Sequence, residues 1–147
     1  MINLTNIIPP VLKEIFLKFL RKNPLINNFF LKLKFSYTKL FNGYDNIFKK
    51  HIIDSINYAE IGCGNSTFFV LNNKNLNVKS VTSVDTSQEW LDVIKKISLS
   101  KLKLNLIFVD LGKTKEWGIP LNYEKINNVN EYANSIFKYD NPDLILI

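Results

Sequence analysis

Three acidic residues and a pair of glycines have the types and spacing of a site for a ligand that carries a ribose. Gly62 and Gly64 stand two residues apart, and glycine lets a backbone turn tightly and approach a ligand. Glu60 comes just before them, and Asp110 follows a later apolar segment. Asp85 follows the glycines by about 20 residues, the spacing at which an acid accepts hydrogen bonds from ribose hydroxyls.

The segments around these residues alternate between strand-like and helix-like patterns. Strands are expected over four short apolar segments, 57–61, 78–84, 104–109 and 143–147. Helices are expected between them over 66–71, 87–100 and 129–137. Such alternation favours right-handed crossovers and a parallel sheet. The three acids therefore fall at the carboxyl ends of strands, where open α/β sheets bind ligands.

Each of these residues also has a purely structural interpretation. The two glycines fit an ordinary turn between a strand and a helix. Asp85 could cap the following helix together with Thr86 and Ser87, and Asp110 could cap a turn. A buried Glu60 needs a hydrogen-bonding partner, and no partner can be identified from the sequence.

Several other chemistries are excluded by the composition. Cys63 is the only cysteine and His51 the only histidine, so neither a disulfide framework nor a zinc site is expected. A lone cysteine without a paired histidine is not expected to be a nucleophile. Thr67 stands where a dinucleotide-binding loop has its third glycine, and no Gly-Lys-Ser/Thr sequence forms a P-loop. A reducing, cytoplasmic location is expected.

The positive charge of the chain is concentrated near its N-terminus. Residues 1–50 contain nine basic and two acidic residues, whereas residues 51–147 contain ten and eleven. Apolar residues recur at helical spacing after Pro9 and Pro10, which predicts a helical N-terminal extension over 1–55. A solvated basic face is the favoured interpretation, and peripheral contact with an anionic membrane is a second one. Nucleic acid is not expected as a partner, because Arg21 is the only arginine.

No segment has the features of a secretory signal or of a membrane-spanning helix. The N-terminus lacks a charged leader that is followed by an apolar segment and a small-residue cleavage site. No apolar run reaches the ~18 residues that a spanning helix needs.

Four motifs in order resemble the class I S-adenosylmethionine-dependent methyltransferases, and more narrowly a largely uncharacterised bacterial branch of them. The motifs are EIGCGNST at 60–67, VTSVD with a following EW at 81–90, VDLG with a following WG and Pro at 109–120, and PDLILI at 142–147. The resemblance covers roughly residues 57–147. It implies a Rossmann-like three-layer sandwich with a parallel sheet of strand order 3-2-1-4.

The resemblance also implies a cofactor, S-adenosylmethionine, and the residues that bind it. Gly62 and Gly64 would pack against its methionine part, Asp85 would bind the ribose hydroxyls, and Asp110 with Leu111 would border the adenine. Glu60 would orient the loop or the cofactor's amino group. The full set of expected cofactor-binding residues is Glu60, Gly62, Cys63, Gly64, Asp85, Thr86, Asp110 and Leu111.

The predicted function is transfer of a methyl group to a small-molecule or glycan acceptor. Relatives continue after the fourth strand with an acidic residue, a glycine and three more strands. Residues 56–147 are therefore expected to be the cofactor-binding half of such an enzyme, completed by further segments or by a partner chain. The alternative is a non-catalytic remnant or interaction module that keeps the cofactor loop. No catalytic base is expected within the chain, and the apolar edge at 144–147 is expected to support self-association.

Overall fold

The computed structural model describes residues 40–41, 44–98, 101–115 and 118–147. They belong to one compact unit that spans residues 37–147. The helices expected before residue 40 lie outside the described residues. The expected domain boundary between residues 55 and 56 stays a prediction.

The described residues alternate between helices and strands along the chain. The helices are α1 (Asp45–Ile52), α2 (Asn65–Asn72), α3 (Gln88–Ile97) and α4 (Asn128–Asn134), and a 3-10 turn over Ser135–Phe137 extends α4. The strands are β1 (Asn57–Ile61), β2 (Ser80–Asp85), β3 (Lys103–Phe108) and β4 (Leu144–Leu146). Of these helices, none combines the length and the apolar character that crossing a bilayer requires.

The four strands form a parallel sheet in the order β3-β2-β1-β4. This confirms the predicted α/β class and the predicted strand order. The connection from β3 to β4 passes over two strands, so the direction of strand addition reverses between β1 and β4. In open α/β sheets, the crevice beside such a reversal is where ligands bind.

The sheet is covered on both faces. Side chains two residues apart share a face of a strand, so Tyr58 and Glu60 point away from the face that carries Ala59. On the Ala59 side, the 3-10 turn contributes Ile136 to the buried cluster. On the other side, Ser66 of α2 contacts Glu60. All six residues of β2 are buried between these layers, as expected for a central parallel strand.

Helix α1 packs against the start of the sheet through aromatic contacts. Phe48 is buried, and its ring meets Tyr58 edge-on, with centroids 5.8 Å apart. A second edge-on contact joins Phe48 to Phe69 of α2 at 6.2 Å. Edge-to-face geometry is the favourable arrangement for such rings. These contacts join α1, β1 and α2 near the candidate site.

Replacement of Asp143 tests how β4 is held beside β1. The Asp143 carboxylate accepts hydrogen bonds from the N–H groups of Ile56 at 2.9 Å and Asn57 at 3.2 Å. We expect Asp143→Ala to lower the free energy of unfolding by about 0.5–1 kcal/mol, because two exposed backbone donors exchange a charged acceptor for water. Urea denaturation measures this loss. The exposed Asp54→Ala is the matched control, and an equal loss in both variants would contradict this role of Asp143.

Candidate functional site

The loop of residues 62–64, the glycine loop, joins β1 to α2. The φ angle of Gly62 is +88°, a left-handed conformation that glycine adopts without strain. Its N–H donates to the carbonyl oxygen of Val84 at 2.7 Å, so the loop begins as a continuation of the sheet. Gly64 has an extended φ of 175°, which any residue can adopt. A Cβ added at either glycine would meet no other atom within 4 Å, so open space lies above the loop.

Helix α2 holds the far end of the glycine loop. The carbonyl oxygen of Gly64 accepts a hydrogen bond from the N–H of Phe68 at 3.0 Å, which begins the helix. The N–H of Gly64 donates in turn to Thr67 Oγ1 at 2.8 Å. Thr67 thus helps to cap the helix.

Glu60 lies beneath the loop and is fully buried. Four hydroxyl groups from three elements donate hydrogen bonds to its carboxylate, and together with it they form the Glu60 hydroxyl network. The donors are Tyr58 at 2.8 Å, Ser66 at 2.7 Å, Ser83 at 2.6 Å and Thr67. The structure thereby supplies the partners that the sequence could not identify.

The Glu60 hydroxyl network replaces the water that the carboxylate loses on burial. Burial raises the pKa of Glu60, and the hydroxyl groups act against that rise. Within the described residues, Glu60 forms no ion pair with a lysine. An isolated buried charge is costly, so the four donors are what makes this position tolerable. The Thr67 hydroxyl accepts a hydrogen bond from the N–H of Gly64 and donates one to Glu60, which couples the carboxylate to the loop backbone.

Asp85 holds the glycine loop from the side of β2. One carboxylate oxygen accepts a hydrogen bond from the N–H of Cys63 at 2.7 Å, and the other accepts from the N–H of Ser87 at 2.7 Å. Ser87 also caps α3 by accepting from the N–H of Trp90. Asp85 therefore supports the cap of α3, which is the structural role that the sequence allowed for it. Each carboxylate oxygen has about two lone pairs, and the Cys63 thiol also hydrogen-bonds to this carboxylate, so part of its acceptor capacity remains for a ligand.

Cys63 and Thr86 lie beside this acid. Burial, and then the negative charge of Asp85, raise the pKa of the Cys63 thiol, so the thiol stays protonated and is a poor nucleophile. A Cβ added at Gly118 would lie 3.2 Å from Thr86 Oγ1. The segment after β3 therefore comes close to the end of β2.

Asp110 and Leu111 follow β3 and differ in exposure. The Leu111 side chain is buried. The Asp110 side chain is 47% exposed and pairs with Lys125, a contact that lowers the pKa of the carboxyl group. Its other oxygen accepts from the N–H of Gly112 at 2.8 Å, and its carbonyl oxygen accepts from the Asn128 side chain at 2.8 Å. Asp110 thus also caps the turn that follows β3, which is the structural role that the sequence allowed for it.

The structure brings all of the predicted residues to the carboxyl ends of β1, β2 and β3 and adds three that the sequence did not suggest. Lys125 and Asn128 hold Asp110, and Tyr132 of α4 packs against the buried cluster that contains Val84. No spacing pattern marks these three residues, because a loop brings them back over the sheet. In the described part of the chain, His, Cys, Asp and Glu side chains form no group of three that could hold a metal ion.

A comparison with solved structures identifies a protein of similar fold. It is a methyltransferase-like protein from Silicibacter pomeroyi DSS-3, with a TM-score of 0.63 and 19% sequence identity. The match covers 75% of this chain and 60% of that one, so this chain spans less than two thirds of that protein. No family model matches the chain, and no curated protein matches it. The likeness shows a Rossmann-like, methyltransferase-like fold.

Replacement of Glu60 by glutamine tests the buried carboxylate. The raised pKa means that folded Glu60 binds its proton more tightly than unfolded Glu60. The contribution of Glu60 to the free energy of unfolding is therefore complete below about pH 4.3, the pKa of the group in the unfolded chain. It is lost as the pH rises through the pKa that the group has in the folded protein. Glu60→Gln loses an acceptor for the hydroxyl groups, which costs about 2 kcal/mol. Because glutamine does not titrate, this deficit should be largest in acid and shrink as pH rises.

Urea denaturation of parent and variant at a series of pH values measures this difference. Glu124→Gln, at an exposed position, controls for the general loss of one negative charge. A deficit that stayed constant from about pH 4 to about pH 8 would show that Glu60 does not titrate in this range with a raised pKa.

Proposed function

We propose that residues 56–147 bind S-adenosylmethionine across the carboxyl ends of β1 and β2, as the cofactor-binding half of a methyltransferase. The observation that carries this proposal is the open space above Gly64. Neither its φ of 175° nor any neighbouring atom requires a glycine at this position. A ligand that approaches the backbone closely would require one.

The other residues of the site suit the chemical groups of this cofactor. Asp85 has acceptor capacity left for donor hydroxyl groups such as those of a ribose. Asp110 and Leu111 would border the adenine, with Thr86 between them and the loop. Glu60 is fully buried, so its role would be to position the glycine loop through Thr67 rather than to touch the cofactor.

The proposed methyl transfer depends mainly on how the protein positions the cofactor and the acceptor. When bound, S-adenosylmethionine supplies an electrophilic methyl group on its sulfonium. The glycine loop would hold the methionine part of the cofactor and Asp85 its ribose, and holding reactants in line lowers the barrier substantially. The proposed acceptor is a small molecule or a glycan, bound with the help of segments beyond those described or of a partner chain.

A non-catalytic, cofactor-binding module is the second candidate function. The titratable groups near the carboxyl ends of β1 and β2 favour it, because none of those among the described residues is placed as a general base. The Cys63 thiol and the Tyr132 hydroxyl both have raised pKa values, and both oxygens of Asp85 already accept backbone hydrogen bonds. Incubation with methyl-labelled S-adenosylmethionine and panels of small molecules and glycans separates the candidates. Labelled product supports the enzyme, and binding without product supports the module.

Replacement of Gly64 by alanine tests the proposed site. The added methyl group meets open space in the protein, so the free energy of unfolding should fall by less than about 1 kcal/mol, the cost of a poorer helix cap. Affinity for S-adenosylmethionine should fall at least about tenfold, because overlap with a bound ligand costs more than 1.4 kcal/mol. Isothermal titration calorimetry measures the affinity, and urea denaturation measures the stability.

Asn73→Ala, beyond the C-terminal end of α2 and away from the loop, is the matched control and should bind as the parent does. A folded parent that binds no S-adenosylmethionine would refute the proposed cofactor. Equal affinity of the parent and Gly64→Ala would refute the proposed approach of the ligand to this glycine.

A further inference from the structure

We propose that Tyr132 is a further ligand-binding residue of this site and that its hydroxyl group donates a hydrogen bond to a ribose hydroxyl held by Asp85. The inference rests on the proposed function and names a residue that the sequence motifs do not contain. Tyr132 lies on α4, between β3 and β4, far from the glycine loop in sequence.

The ring of Tyr132 is held by the core of the fold. It is partly buried and packs, as Ile61 does, against the buried cluster that includes Ala59, Val84 and Leu111. Val84 immediately precedes Asp85, and Ile61 immediately precedes the glycine loop. Tyr132 therefore lies against the two strands whose ends form the candidate site.

The surroundings of Tyr132 keep its hydroxyl group protonated. Burial first, and then the negative charges of Asp85 and of Cys63 when ionised, raise the pKa of Tyr132 to about 12. This direction agrees with the packing of Tyr132 against the cluster that contains Val84, the residue before Asp85. The phenol is therefore neutral at physiological pH and keeps its proton available for donation.

No other described residue uses that proton. Tyr58, a residue of β1, donates its hydroxyl hydrogen to Glu60. The Tyr132 hydroxyl has no such partner within the described residues. A partly buried polar group without a protein partner is expected to bind water or a ligand.

The chemistry of a ribose hydroxyl explains why the two residues would act together. Asp85 can only accept hydrogen bonds, so a hydroxyl group that it binds must donate its single proton to the carboxylate. The lone pairs of that hydroxyl then need a donor. The neutral Tyr132 hydroxyl supplies one on the same side of the site, whereas the Cys63 thiol is a weak donor.

The test compares Tyr132→Phe with the parent in calorimetric titrations. The probes are S-adenosylhomocysteine and an analogue that lacks both ribose hydroxyls. The variant keeps the ring and loses only the hydroxyl group, so its unfolding midpoint should stay within about 2 °C of the parent's. Its affinity for S-adenosylhomocysteine should fall about five- to tenfold, as for one lost hydrogen bond. Its affinity for the analogue should equal that of the parent. Tyr139→Phe, which changes an exposed tyrosine in the segment before β4, is the matched control.

Each outcome decides between the inference and the function on which it rests. Equal affinity of the parent and of Tyr132→Phe for S-adenosylhomocysteine would overturn the inference and leave the proposed function standing. An equal loss for both probes would also overturn it, because the hydroxyl group would then act through the fold and not on the ribose. A folded parent that binds neither probe would overturn both.

Discussion

The buried carboxylate of Glu60 is the interaction on which the candidate site depends. It receives hydroxyl groups from β1, β2 and α2, so the strand before the glycine loop, the neighbouring strand and the helix after the loop share one acceptor. A carboxylate in this position is costly unless its hydrogen bonds are complete. The requirement for complete bonding therefore fixes the register of the strands and the approach of the helix at the same time.

The glycine loop is held at three points, two on β2 and one on α2. The N–H of residue 62 donates to the carbonyl oxygen of Val84, that of residue 63 to the Asp85 carboxylate, and that of residue 64 to the Thr67 hydroxyl. The backbone donors at residues 62–64 are thus used inside the protein, while the space above the glycines stays open. A rigid loop under open space is a suitable binding surface, because little conformational freedom is lost when a ligand arrives.

Much of the sheet could be predicted from the sequence. The expected strand 57–61 matches β1, and the expected helix 66–71 lies within α2 (Asn65–Asn72), because alternation of apolar segments with glycine loops is a local signal. The end of α3 at Ile97 falls before the expected end at residue 100. Element ends are set by capping contacts as well as by periodicity, and the strand order came from the resemblance rather than from the pattern of the residues.

The sequence by itself determined the α/β class, the glycine loop and the placement of three acids at strand ends, because these follow from contacts between residues close along the chain. Only the tertiary structure decided which groups satisfy those acids. The partners of Glu60 include Ser83, 23 residues away, and Asp110 is held by Lys125, 15 residues away. Tyr132 comes to the site only through the turn of the chain between β3 and β4. Such partners depend on how the layers pack, and hydroxyl and amine side chains carry no periodic pattern that announces their contacts.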